Sequence, residues 1–336
     1  MSIRRRLLIA AIPVVSAALL LAGCSSGAAN PSSSSTANLS TLNIGFFSPG
    51  TSNTFAATVG KGGVDEAKKL GVRLTNVSGN FDVQTQVNQL QQAIQRKTYN
   101  AWVVVPLDAN QECPIIKQGI AAGIKVVMAV SPTCGDSYPK GGTGIVAVQN
   151  RSLYNQWWDY ILTNTKPGEI AVMTGGARGV DYESTIADDA LDAQLKKHKG
   201  FTVVSNQALG YATDAAYQNA QALIKSHPNL KAIVSNYSGM TEGVINAIKQ
   251  AGKTGSIDLY DFDGDKTIVA AIKSGDVTMT APGMPHSEGA GAVKMTVDAW
   301  LGKAIPDRQL NPAVALKITD GPFITKKNVN DYTAEY

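Results

Sequence analysis

Residues 101–130 read AWVVVPLDANQECPIIKQGIAAGIKVVMAV. A run of apolar, largely β-branched residues at 101–105 gives way to helical spacing over 110–122. A second apolar run follows at 124–130. Two short apolar runs joined by a helix-length crossover predict parallel strands, buried on both faces. The same alternation extends outward. Before it come strands at 42–47 and 72–77 and helices at 54–70 and 83–97. The second of these helices puts Val83, Val87, Leu90 and Ile94 on one face. A strand at 145–148 follows.

A second series begins at a strand over 169–173. It continues through helix 182–198, strand 201–205, helix 214–227, strand 231–235, helix 240–251, strand 257–262, helix 264–274 and strand 277–281. A last helix covers 285–302, and a strand-like tail covers 313–324. The fold class is therefore α/β, with two doubly wound parallel-sheet lobes. In such sheets ligands bind beyond the carboxyl ends of the strands. Trp157 and Trp158 fall in a further helical segment, Trp157 expected in the core and Trp158 on the surface.

The chain has 336 residues, 44% of them apolar and 17% charged, enough to bury a large core. Its net charge is +4, but Arg4, Arg5 and Arg6 supply three of those charges; without them 27 basic side chains face 26 acidic ones. That balance gives no electrostatic footprint for nucleic acid. The arginines precede an apolar run from Leu7 to Ala22, too short for a good membrane span. The run stops at Leu21-Ala22-Gly23-Cys24, which resembles a lipobox. Residues 1–23 are thus expected to be a lipoprotein signal peptide, Cys24 the lipidated residue, and 24–41, rich in Ser, Ala and Asn, a flexible tether. The anchor implies an extracytoplasmic protein held on the bacterial cell membrane. Cys113 and Cys134 then remain. Each would lie near the carboxyl edge of a neighbouring strand, as a disulfide or as two separate buried thiols.

Motifs for catalysis are sparse. Asp261-Phe262-Asp263-Gly264-Asp265 lacks EF-hand spacing, since the twelfth residue from Asp261 is Ile272. It admits a haloacid-dehalogenase-like phosphatase using Asp261, or a strand end that offers a ring and a carboxylate to a ligand. Gly175-Gly176-Ala177-Arg178-Gly179 is no phosphate loop and reads as a turn at the cleft edge. His198 and His227 read as solvated helix ends, and His286 lies near a chain crossing. No pair of histidines has zinc-ligand spacing, and no metal or cofactor is expected. Phe55, Tyr211, Tyr237 and Phe262 all fall at strand-to-helix turns, where a ring face suits the C–H face of a sugar or polyol.

The order and spacing of several short segments resemble the periplasmic-binding proteins of the ribose/galactose type, solute receptors of ABC importers. These segments are Leu42-Asn43-Ile44-Gly45-Phe46 with Asn53-Thr54-Phe55, Glu66 to Val72, Val104-Val105-Pro106-Leu107-Asp108, Ala122 to Val127, and Asp261-Phe262-Asp263-Gly264. The resemblance implies the type I periplasmic-binding fold, with lobes at 42–148 plus 284–312 and at 149–283 plus 313–336. Three crossings near 148–151, 281–285 and 311–315 would form the hinge, and closure would signal the permease. It implies a non-enzymatic, monomeric protein that captures a small carbohydrate-like ligand. The implied ligand set joins Ser48, Asn53, Asp108, Ser131, Asn236 and Asp263 to the four rings above, and Asn53, Asn236 and Asp263 would hydrogen-bond the ligand's hydroxyls. The Asp-Arg pair usual in sugar receptors of this type is replaced by Val130-Ser131, so the ligand groups facing it must differ. Cys113-Pro114 and Cys134 resemble the autoinducer-2 receptor branch, in which Asp181-Tyr182 would bind ligand. The walls are expected to be neutral and aromatic, suited to a polyol or unusual sugar. A sensory receptor presenting the same ligand to a signalling protein would share this fold and pocket.

Overall fold

The computed structural model describes residues 38–135 and 137–336. The expected signal peptide, Cys24 and the tether up to residue 37 lie outside the described residues. The last tether residues are not loose. Leu39–Thr41 form a 3₁₀ turn, Arg73 donates to Ser40 O at 3.1 Å and Trp300 Nε1 to Asn38 O at 3.2 Å.

The described residues build two six-stranded sheets. The first contains β1 (Asn43–Ser48), β2 (Arg73–Ser78), β3 (Ala101–Val104), β4 (Lys125–Ala129), β5 (Gly144–Val146) and β11 (Gln309–Leu310). The second contains β6 (Glu169–Thr174), β7 (Thr202–Ala208), β8 (Ala232–Ser235), β9 (Asp258–Asp263), β10 (Met279–Pro282) and β12 (Ile324–Thr325). Their orders are β2-β1-β3-β4-β5-β11 and β7-β6-β8-β9-β10-β12, all parallel except the β10–β12 pair. Order reverses between β1 and β3 and again between β6 and β8, which opens a crevice at each switch point.

The helices between strands are α1 (Thr54–Leu70), α2 (Val83–Arg96), α3 (Ala109–Ala121), α4 (Arg151–Asn164), α5 (Tyr182–Leu195), α6 (Thr213–Ser226), α7 (Ser238–Gln250), α8 (Lys266–Ser274) and α9 (Pro285–Trp300). Most of the starts follow from one device. Asn53, Asp82, Asp108, Asp181 and Asp265 each turn a side-chain oxygen onto a backbone N–H of the first helical turn. α9 returns to the first sheet and packs on α1 at very close range. A Cβ at Gly289 would stand 1.9 Å from Val59 O, and one at Gly62 would stand 2.0 Å from His286 O.

Two expectations change. Trp158 is as buried as Trp157, because α4 lies against β6, β9 and α5 and buries both rings; Trp157 Nε1 donates to Asp261 O at 3.0 Å. The tail over 313–324 is not a strand. Pro312–Ala315 form a 3₁₀ turn, and only Ile324–Thr325 pair, after Gly321 and Pro322. Cys113, in the first turns of α3, bonds to Cys134, just beyond β4, with Cα atoms 5.2 Å apart.

Several carboxyl groups are sealed inside. Burial raises Glu112 and Asp261 to about 7 and Glu288 to about 8. Glu288 Oε1 accepts the Val148 N–H at 2.7 Å, tying α9 to the segment after β5, while its Oε2 has no partner among the described residues. These folded values lie above the roughly 4.3 of an unfolded glutamate. The native state therefore holds protons that the unfolded chain releases, and stability falls as pH rises from about 4 to 8. Carboxylates shifted the other way, such as Asp65 and Asp276, titrate below that window. The urea midpoint should be higher at pH 5 than at pH 8.5, and Glu288→Gln should narrow the gap; a midpoint that rises with pH contradicts this.

Candidate ligand-binding cleft

The carboxyl ends of the two sheets face a cavity of about 150 Å³. The first sheet's side contributes Pro49, Asn53, Phe55, Phe81, Val105, Pro106, Leu107, Val130 and Ser131. The second sheet's side contributes Tyr154, Asp181, Glu183, Tyr211, Asn236, Tyr237 and Asp263, with Gln149 on the connecting segment. The sides touch directly. Ser131 Oγ donates to Glu183 Oε1, Asn110 Nδ2 donates to Gly179 O at 2.9 Å, and the Phe55 ring meets Tyr336 edge-on at 5.8 Å.

Eight of the expected ligand residues line this cavity: Asn53, Phe55, Ser131, Asp181, Tyr211, Asn236, Tyr237 and Asp263. Their polar groups are partly spoken for. Asn53 Oδ1 accepts the Ala56 N–H at 3.0 Å as the α1 cap. Asp181 Oδ2 accepts the Ser184 N–H at 2.9 Å and the Tyr211 hydroxyl at 3.0 Å. Asn236 Oδ1 accepts the Gly175 N–H at 2.9 Å, and its amide donates to Ser184 Oγ at 3.3 Å.

Four expected residues lie elsewhere. Ser48 is buried at the end of β1, its hydroxyl 3.5 Å from Val77 O. Asp108 caps α3, accepting N–H groups of Asn110 and Gln111 at 2.8 and 3.0 Å and the Gln111 amide at 2.7 Å. Tyr182 turns into a separate hollow beside Pro132 and Arg151. A helix advances about 100° per residue, so Glu183 rather than Tyr182 reaches the cleft with Asp181. Phe262 points to the opposite side of β9 from Asp263 and is fully buried, stacked on Tyr154 at 4.6 Å. It supports the cleft through Tyr154 and does not touch its space.

The Asp261–Asp265 stretch therefore divides its work. Asp261 is buried and accepts from Thr241 Oγ1 at 2.5 Å, Thr280 Oγ1 at 2.6 Å, Ser238 Oγ at 3.1 Å and Gly264 N at 3.0 Å. A carboxylate enclosed by four donors has no path to a phosphoryl group, which removes the phosphatase reading. Asp265 caps α8, and Asp263 alone faces the ligand space. His286 is likewise outside the cleft, 3.0 Å from Asp65 on α1.

The walls are aromatic as expected, but not neutral in composition. Asp181, Glu183 and Asp263 share the cavity. Burial, reinforced by Asp181, pushes Glu183 well above the usual carboxylate range. Burial and the surrounding carboxyl groups do the same to Asp263.

Backbone strain concentrates here. Phe81, Val130, Tyr211 and Asp263 all line the cavity with positive φ, of 55°, 68°, 57° and 105°. Such conformations cost about 1–3 kcal/mol each, and a β-branched residue rarely adopts one. The glycine pair Gly175-Gly176 serves the same wall. A Cβ at Gly175 would fall 2.0 Å from the Tyr211 ring, and one at Gly176 would fall 2.2 Å from Asp181 Cβ. Gly175→Ala should displace Tyr211 and weaken ligand binding at least tenfold while the far-ultraviolet circular dichroism spectrum is retained; unchanged affinity contradicts this role.

Residues 44–304 match the periplasmic binding protein domain family. The D-allose-binding periplasmic protein of Escherichia coli K12 is 28% identical over 82% of this chain and 89% of its own length. The D-ribose/D-allose-binding protein of Pseudomonas aeruginosa is 26% identical over 68% and 73%. Among solved structures, an ABC transporter solute-binding protein of Bacillus halodurans with bound myo-inositol has a TM-score of 0.76 at 21% identity, covering 90% of this chain and all of that one. The chain belongs to the periplasmic binding protein family. It is a transport component of the solute-binding kind and not an enzyme.

Proposed function

We propose that this protein is the lipid-anchored solute-binding component of an ABC importer, and that it captures a small sugar or polyol between its lobes. The observation that carries the reading is the cavity between the strand ends of both sheets, walled by Phe55, Tyr211, Tyr237 and Tyr154 and edged by Asn53, Gln149, Asn236 and Asp263. Its volume of about 150 Å³ falls below the roughly 300–1,000 Å³ that takes drug-sized ligands. That size suits a single ring or a short polyol. Relatives that bind allose and ribose, and a neighbour holding myo-inositol, support the same class.

The three chain passages between the sheets act as the hinge, dividing 42–148 plus 284–312 from 149–283 plus 313–336. Ligand held by both lobes favours the closed state by its differential affinity, and the closed form engages the permease. Cys24 carries the lipid that keeps this monomer at the extracytoplasmic face of the membrane. Isothermal titration against a panel of sugars and polyols tests the reading. One compound per chain should bind and be recovered unaltered; silence across the panel, or chemical conversion of a compound, overturns it.

A further inference from the structure

The cavity wall is built to receive hydrogen bonds and positive charge. Among the described residues that line it, none is Lys, Arg or His, whereas three are carboxylic acids. Two hydroxyls of the wall are committed, Ser131 to Glu183 and Tyr211 to Asp181. Gln149 makes an independent point. Only 5% of it is exposed, it lines the cavity, and its Oε1 has no partner among the described residues. A buried carbonyl oxygen without a donor is costly, so the missing donor belongs to the ligand. Asp263 reinforces this, since the charges that act on it come from other carboxyl groups. A hydroxyl both donates and accepts, whereas an ammonium group only donates and carries the compensating charge. It also sits well against the faces of aromatic rings such as Phe55 and Tyr211.

The geometry points to an amine-bearing solute, an amino sugar or amino polyol, whose ammonium group is held by Glu183 and Asp263 with Gln149 Oε1 accepting from the same molecule. This rests on the sugar-or-polyol reading above and narrows it. Burial favours the protonated forms of Glu183 and Asp263 in the empty cleft, and a bound cation would draw them into the charged form.

Matched pairs test it by isothermal titration of the full protein: D-glucosamine against D-glucose, D-galactosamine against D-galactose, and 1-amino-1-deoxysorbitol against sorbitol, with choline as an amine lacking the sugar frame. In at least one pair the amine should bind tenfold or more tightly than its neutral partner, and more tightly than choline. Glu183→Gln should shrink that ratio at least fivefold, with an unchanged circular dichroism spectrum confirming the fold. Neutral members binding as tightly as their amines would overturn the inference while leaving sugar or polyol capture intact. Binding of choline alone, or of nothing in the panel, would overturn both.

Discussion

Asp263→Asn should lower affinity for the captured solute by roughly 10- to 150-fold, the loss of about 1.5–3 kcal/mol that accompanies removal of a charge-assisted hydrogen bond. The same change should leave the unliganded protein as stable as before, or more so. Asp263 is buried among Asp261, Glu288, Asp265 and Glu183, which disfavour its charge, so it opposes folding of the empty form. Asparagine tolerates the φ of 105° better than most residues, which keeps the backbone in place. Titration and thermal melting of the same preparation separate the two effects. Weaker binding with a matching loss of unliganded melting temperature would make Asp263 a structural residue instead.

Reducing the Cys113–Cys134 bond should cost about 3 kcal/mol of unfolding free energy, from the loop entropy returned to the unfolded chain across a separation of 21 residues. The bridge pins the start of α3 to the turn that carries Val130 and Ser131, two residues of the cavity wall. The loss should therefore appear as a lower urea midpoint and also as faster ligand dissociation. A Cys113→Ala, Cys134→Ala double variant that unfolds at the wild-type midpoint would contradict the first, and an unaltered dissociation rate would contradict the second.

The sheets were legible because their central strands are short, nearly continuous apolar runs followed by periodic helices, and that pattern survives tertiary context. Helix 54–70 was readable to the residue because Asn53 and Gly71 punctuate it. The tail after α9 was not, since a few apolar residues between prolines look like a strand whether or not a partner is near. Trp158 was misplaced because periodicity within one helix does not reveal that α4 is covered on more than one side.

The cleft was legible through the rule that ligands meet strand ends, which brought Phe55, Tyr211, Tyr237 and Asp263 into view, and through the family resemblance, which added Asn53, Asp181 and Asn236. The rule cannot choose between a polar side chain that caps its own helix and one that faces the ligand. Asp108 is a cap alone; Asn53 and Asp181 are caps that also border the cavity. Glu183 was hidden by the phase of α5. Gln149 was hidden because it lies on the passage between sheets, and Tyr154 because it lies on α4, which follows that passage. Phe81 and Val130 reach the cavity from left-handed backbone conformations that neither residue type advertises. The spacing of two adjacent glycines at Gly175-Gly176 was the one visible sign of the ring packed against them.

A crystal structure of the protein soaked with the tightest compound of the panel tests the central claim most directly. The account predicts electron density for the unaltered compound between Phe55 and Tyr211, within hydrogen-bond distance of Asp263 and Gln149 Oε1 and touched by residues of both sheets. Density on another surface, or a cleft closed by its own side chains with the compound excluded, would contradict it.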